Sequence, residues 1–210
     1  MKTKKIRCWM LHIGAVALLV ILGMGICYMK ESHTQQAIAE KVLRFHVRAN
    51  SDSVEDQELK LGVRDAVGEL MGQYLSEADS RLKSEEIVKE HMAEIVETAT
   101  KVIEEEGYHY GVEVFLSDVE FPVKTYGAYT FPAGTYRALE IVIGSGTGHN
   151  WWCVMYPNMC FANGTYDVVD ENSKKELRQT LSAQEYATLM EEKDYQVSFR
   201  IVEEIQNLIR

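Results

Sequence analysis

Residues 8–29 constrain this chain more than any other stretch. Lys2, Lys4, Lys5 and Arg7 come first, and the 22 residues from Cys8 to Met29 then carry no Lys, Arg, Asp or Glu until Lys30 and Glu31 close the run. A hydrocarbon core of about 30 Å takes roughly 20 apolar residues as a helix, whereas the apolar core of a cleaved signal peptide is usually about 7–15. Length therefore favours an uncleaved anchor. The basic residues in front place the short tail in the cytoplasm and residues 31–210 outside. A cleaved signal is the alternative: Gly23 and Gly25 sit late in the run, but no A-x-A pattern follows. Lipoprotein processing at Cys27 is discounted because Ile26 precedes it. A buried core helix is discounted because every face of it would need cover.

Beyond that run the chain is acidic. Residues 31–210 hold 17 of the 22 Lys and Arg and all 32 Asp and Glu, which gives 17 − 32 = −15. Such a field excludes nucleic acid as a partner and argues against adsorption on an anionic membrane, so bilayer contact is expected through residues 8–29 alone. The expected organisation is a hydrophobic segment over 1–30, a linker over 31–40 and one globular domain over 41–210, with no repeat or low-complexity tract.

Periodicity supplies the elements. Leu43, Phe45 and Val47 alternate with Arg44, His46 and Arg48, which predicts a strand over 41–48 with one wet face. Asn50-Ser51-Asp52-Ser53 with Glu55 and Asp56 reads as a helix start, and Leu59, Val63, Val67, Leu70 and Met71 follow as one apolar stripe. A second helix is expected from a Ser84 cap to a Gly107 stop. Tyr110–Ser117, Tyr136–Ile143 and Trp151–Tyr156 read as strands, Ser173 to about Met190 as a helix, and Tyr195–Arg210 as a short strand and a closing helix. Helices and strands are segregated along the chain, so the expected fold is α+β. Its sheet should be mainly antiparallel, with about 4–5 strands packed by 3–4 helices.

Few constellations suggest chemistry. Gly144, Gly146 and Gly148 resemble a phosphate loop only weakly, because the loop leads into the strand-like Trp151-Trp152-Cys153 rather than a helix; a mobile hairpin connection is the simpler reading. Cys153 with His149 would be a thiol nucleophile and its base. On a strand, however, positions four apart are separated by about 13 Å, against about 3 Å for catalysis. Cys153 and Cys160 are the two cysteines beyond the hydrophobic run, and in an oxidising space they are expected to pair, with two buried free thiols as the alternative. Closing that loop is worth about 2–3 kcal/mol in the chain-entropy model. No metal or cofactor is expected: zinc lacks a four-ligand spacing, and Asn50, Asp52, Glu55 and Asp56 lack the calcium-loop pattern. Capping is the first role expected of these four residues and partner contact the second. Trp151 and Trp152 point to opposite faces of a strand, and an exposed one would suit a protein contact. Asn163-Gly164-Thr165 matches a glycosylation pattern short enough to arise by chance.

Two stretches are specific in combination. Phe45-His46-Val47-Arg48-Ala49-Asn50-Ser51-Asp52-Ser53 with Glu55-Asp56-Gln57 and Val63-Arg64-Asp65-Ala66-Val67 is one, and Gly148-His149-Asn150-Trp151-Trp152-Cys153-Val154 to Cys160-Phe161 is the other. Together they resemble the stage II sporulation protein R family of endospore-forming bacteria, along the whole chain. The resemblance implies a protein made in the forespore, exported into the space between forespore and mother cell, and acting there as a signal. The implied partner is a membrane-embedded aspartic protease of the mother cell, which then removes the pro-sequence of sigma-E. It implies no catalytic residues for this chain. The competing readings are an exported thiol-dependent or wall-modifying enzyme using Cys153 and His149, and a structural protein of the engulfment space.

Overall fold

A computed structural model of the chain describes residues 32–159, 169 and 171–190, with isolated positions of the hydrophobic run at 18–20, 22–25 and 29. Most of the expected membrane segment, Cys160, the Asn163-Gly164-Thr165 pattern and the elements expected within 191–210 lie outside the described residues. Among the described residues no helix is long and apolar enough to cross a membrane.

Residues 32–39, expected as linker, are helical (α1), and Ile38 near the end of that helix is buried. The order continues β1 (Leu43–Arg48), α2 (Val54–Tyr74), a 3-10 turn (Leu75–Glu77), α3 (Arg81–Glu90), α4 (Met92–Glu105), β2 (Val112–Phe121), β3 (Lys124–Tyr126), β4 (Tyr129–Phe131), β5 (Gly134–Ile143), β6 (Asn150–Tyr156), α5 (Glu171–Thr180) and α6 (Ala183–Met190). The α+β class holds. The main sheet is mixed, however, with strand order β2-β5-β1-β6, and β3 and β4 form a separate hairpin. β2 and β6 pair antiparallel with β5 and β1, but the two inner strands β1 and β5 run parallel. β1 is inserted between β5 and β6, so the glycine loop joining those strands crosses over β1 and is no hairpin connection.

One face of the sheet carries Val114, Leu116, Leu139, Ile141, Phe45 and Val47, and α2 and α4 cover it with Leu59, Val63, Val67, Ile95, Ala99 and Ile103. The opposite face corrects the expectation for β1. Its supposedly wet residues Arg44 and His46 are 0 % and 3 % exposed. Phe121, Trp152 and the β3–β4 hairpin close over them, and alternation along β1 carries no trace of those distant segments. The hairpin turns through Gly127-Ala128, where Gly127 takes φ 56° as the first position of a type II′ turn requires.

Helix starts differ from expectation by a turn. Ser80 caps α3, accepting from the Lys83 amide, while Ser84 lies buried inside the helix with its hydroxyl donating to the Ser80 carbonyl. Ser173 is likewise inside α5, its hydroxyl donating to the Asn158 carbonyl. The single helix expected to run to Met190 is two, because Ser182 and Glu185 form a reciprocal capping box that starts α6: the Ser182 amide donates to Glu185 and the Glu185 amide to Ser182 Oγ. The expected stop holds, with the Gly107 amide bonded to the Glu104 carbonyl just past α4.

Candidate functional site

Ser53 is the N-cap of α2; its extended backbone lets Oγ accept from the Asp56 amide at 3.2 Å. The residues before it do something other than cap. They form one wall of a polar knot whose other wall is the glycine loop 144–148, almost a hundred residues away in sequence. Asn50 Oδ1 accepts from the Ser145 amide at 3.0 Å, and its main-chain oxygen accepts from Ser145 Oγ (2.6 Å) and Thr147 Oγ1 (2.9 Å). Arg48 Nη2 donates to the Gly146 carbonyl at 2.9 Å, and the Gly148 amide donates to the Ala49 carbonyl. Gly148 is obligatory in this packing: a Cβ there would lie 2.1 Å from the Ser51 carbonyl oxygen. The glycine loop is therefore pinned at both ends of its length, against the expectation of a mobile connection.

Two carboxylates organise the knot. Asp56 is buried, and its Oδ2 accepts from Ser51 Oγ (2.5 Å) and Asn50 Nδ2 (2.8 Å). Burial by itself raises its pKa, but the donors Ser51, Asn50 and Tyr110 outweigh that and hold the carboxyl below the usual range. Asp52 is exposed, and its Oδ1 meets the main-chain amide of His149 at 2.6 Å and the ring Nδ1 at 2.5 Å. Those bonds from His149 hold Asp52 low as well. Below them Lys60, 5 % exposed, bridges Gln57 Oε1 (2.5 Å) and the His149 carbonyl (3.0 Å). Burial is the chief reason its pKa falls; Arg64 adds to the fall and Asp52 opposes it.

The structure thus brings Asn50, Asp52, Asp56 and His149 together at one end of the sheet. It separates the other expected contact residues from them. Glu55 is exposed in a hollow lined also by Glu58, Leu59, Gly62, Glu106 and Tyr108. Trp151 and Trp152 are both half-buried on opposite faces of β6. Trp151 packs edge-on to Phe45 at 5.7 Å and lies under the Arg64 guanidinium of α2 at 5.1 Å. Trp152 stacks on His46, ring centroids 3.8 Å apart and 10° from parallel.

Two buried basic residues in β1, Arg44 and His46, are not singled out by the sequence pattern. Arg44 lies among Phe121, Phe131 and Tyr136, its guanidinium 4.2 to 5.1 Å from their ring centroids, and donates to the Cys153 carbonyl (2.8 Å) and Tyr126 Oη (3.1 Å). His46 makes no hydrogen bond through either ring nitrogen, and Glu140 Oε1 stands 3.5 Å off. Burial lowers its pKa to about 4; Arg48 pushes the same way and Asn150 opposes. Tyr126, Phe131 and Tyr136 crowd aromatic rings into one short stretch, but nothing in their spacing ties them to Arg44.

The thiol and the imidazole of the enzyme reading are in different surroundings. Cys153 is buried, lies opposite Phe45 in the sheet and is part of a disulfide, while the His149 ring is exposed on Asp52 ahead of β6. The expected partner Cys160 lies outside the described residues. Among the described residues no group of three or more His, Cys, Asp or Glu could hold a metal ion.

Comparison with known proteins gives one consistent result. The family model described as stage II sporulation protein R matches residues 39–166. Stage II sporulation protein R of Bacillus subtilis (strain 168) is 32 % identical over 196 residues, which cover 92 % of this chain and 88 % of that protein. No solved structure matches.

Proposed function

The chain belongs to the stage II sporulation protein R family, and from that membership we propose that it is an exported sporulation signal that binds and activates a membrane-embedded aspartic protease of the mother cell, so that the protease removes the pro-sequence of sigma-E. The family match over most of the chain is the observation that carries this reading. Export would proceed from the forespore through the segment 8–29, either as an anchor or as a cleaved signal. The acidic exported part, −15 over residues 31–210, suits a protein ligand.

The local chemistry favours binding over catalysis. A nucleophilic cysteine must be a free thiolate within about 3 Å of its base, whereas Cys153 is buried in a disulfide and His149 Nδ1 faces Asp52. In an exported protein the bond expected at Cys153 is with Cys160. Asn50, Asp52, Glu55, Asp56, Trp151 and Trp152 remain the contact residues proposed from the sequence. Of these, Asp52 and Glu55 are the most accessible, and Asn50 and Asp56 hold the surface in shape.

Co-expression of the full chain with the membrane protease and pro-sigma-E in a non-sporulating host tests the reading. Mature sigma-E should accumulate only when all three are present, and the His149→Ala chain, provided it melts like the parent, should still support it. Processing that ignores the presence of the chain would sink the signalling role. A folded His149→Ala chain that is inert at every expression level would favour the enzyme.

A further inference from the structure

Among the described residues the sheet ends at β2, and no other strand there pairs with its outer edge. β2 is ten residues long and pairs residue for residue with β5 from Val112 to Phe121 without a bulge. The opposite edge is different: β6 has seven residues, its pairing with β1 shifts register between Leu43 and Arg44, and the Val154 carbonyl accepts from the Met159 amide. A free edge presents a row of unpaired N–H and C=O groups, which proteins usually blunt with charged side chains, proline or a bulge. Val112–Phe121 has no proline and no bulge, and its charges are all negative. What the edge carries is a set of exposed carboxylates, Glu113, Asp118 and Glu120, and Phe115 with 44 % of its surface in water; Asp118 also pairs with Arg137 at 3.4 Å, and Glu120 accepts from Thr135 Oγ1. Glu113 and Phe115 project from the face opposite α4, Asp118 and Glu120 from the other, so a strand laid along β2 meets acid on both faces.

We infer that the outer edge of β2 is a docking strand, which adds to the sheet an extended, basic segment of the partner protein. Main-chain hydrogen bonds would supply affinity, Lys or Arg beside Glu113, Asp118 and Glu120 the specificity, and an apolar side chain would cover Phe115. The inference rests on the reading that this chain acts by binding a membrane protease; the segment is then an extracytoplasmic stretch of that protease. Charge selects this occupant over a second copy of the chain. A second copy would bring the same three carboxylates and a field of −15 to the same edge, whereas a basic strand is drawn to it.

The test uses the three-component co-expression with the photo-crosslinker p-benzoylphenylalanine in place of Phe115, or in place of Glu69 on the exposed side of α2 as control. It includes Glu113→Lys with Glu120→Lys, and Glu69→Lys, each checked for a parental melting curve. Expected are a cross-link to the protease from position 115 at least about tenfold stronger than from position 69, and at least a tenfold loss of sigma-E maturation in the double variant only. A cross-link from 115 without maturation would keep the docking strand and remove the activating role. Maturation with no cross-link at 115 and an unaffected, folded double variant would overturn the docking strand and keep the role. A cross-link from 115 to a second copy, or neither cross-link nor maturation, would overturn the docking strand too.

Discussion

Arg44 and His46 project from the same face of one strand; Glu140 Oε1 stands 3.5 Å from the His46 ring, while Arg44 donates to neutral oxygens. Arg44 keeps its charge inside the protein through two hydrogen bonds and a surround of rings, which the flat guanidinium can satisfy and an ammonium cannot. Arg44→Lys should therefore destabilise the fold by about 2–3 kcal/mol, the worth of a buried charged donor lost; an unchanged urea midpoint would refute the cage. His46 makes a prediction in pH. Its folded pKa of about 4 lies below the ordinary 6.5, so between those values the unfolded chain binds a proton that the folded one does not. Stability is then complete above about pH 6.5, falls by about 3 kcal/mol as pH drops to 4, and loses nothing more from this residue below that. Glu140, Arg48, Trp152 and Phe121 are the groups facing the ring. Replacing it as His46→Gln should flatten the slope between pH 7 and pH 4.5 in denaturant melts, and equal slopes in the two proteins would count against a buried neutral imidazole.

At the scale of elements, the join between β1 and α2 is shared with the join between β5 and β6. Ser53→Ala removes a cap and should cost about 1 kcal/mol while leaving the glycine loop in place. Gly148→Ala pushes a methyl into the Ser51 carbonyl and should cost about 1–3 kcal/mol and open both loops at once. Amide exchange separates the two: in Gly148→Ala the Ser145 and His149 amides should lose protection together, since their acceptors are Asn50 and Asp52. If Ser53→Ala loosened the same amides equally, the knot would be an appendage of the helix cap. Asp52, expected from the sequence to help cap α2, instead fixes the entry to β6. That role is invisible in a helix-start pattern because its partner is 97 residues away.

For the whole molecule, the exported form is predicted to carry a Cys153–Cys160 bond. The loop 153–160 includes the turn at Pro157 and Asn158, preceded by a cis Tyr156–Pro157 peptide, and Cys153 at its start is buried in the sheet. Mass spectrometry of unreduced peptides from secreted material should find the linked pair; both thiols alkylated without reductant would exclude it.

Much of this protein was legible as sequence. The apolar stripe of α2, the stop at Gly107, four of the strands, the α+β class and the family all follow from local spacing and short words, because helix and strand periods and capping involve neighbours a few residues apart. Tertiary structure alone decided the rest. Whether Arg44 and His46 faced water depended on Tyr126, Phe121 and Trp152, on other strands. The insertion of β1 between β5 and β6 made the sheet mixed, and among the described residues β2 stands at its edge. The strand period records that one side of β1 differs chemically from the other, but which side is covered is set by segments that return after about seventy-five residues or more, through contacts that no local pattern encodes.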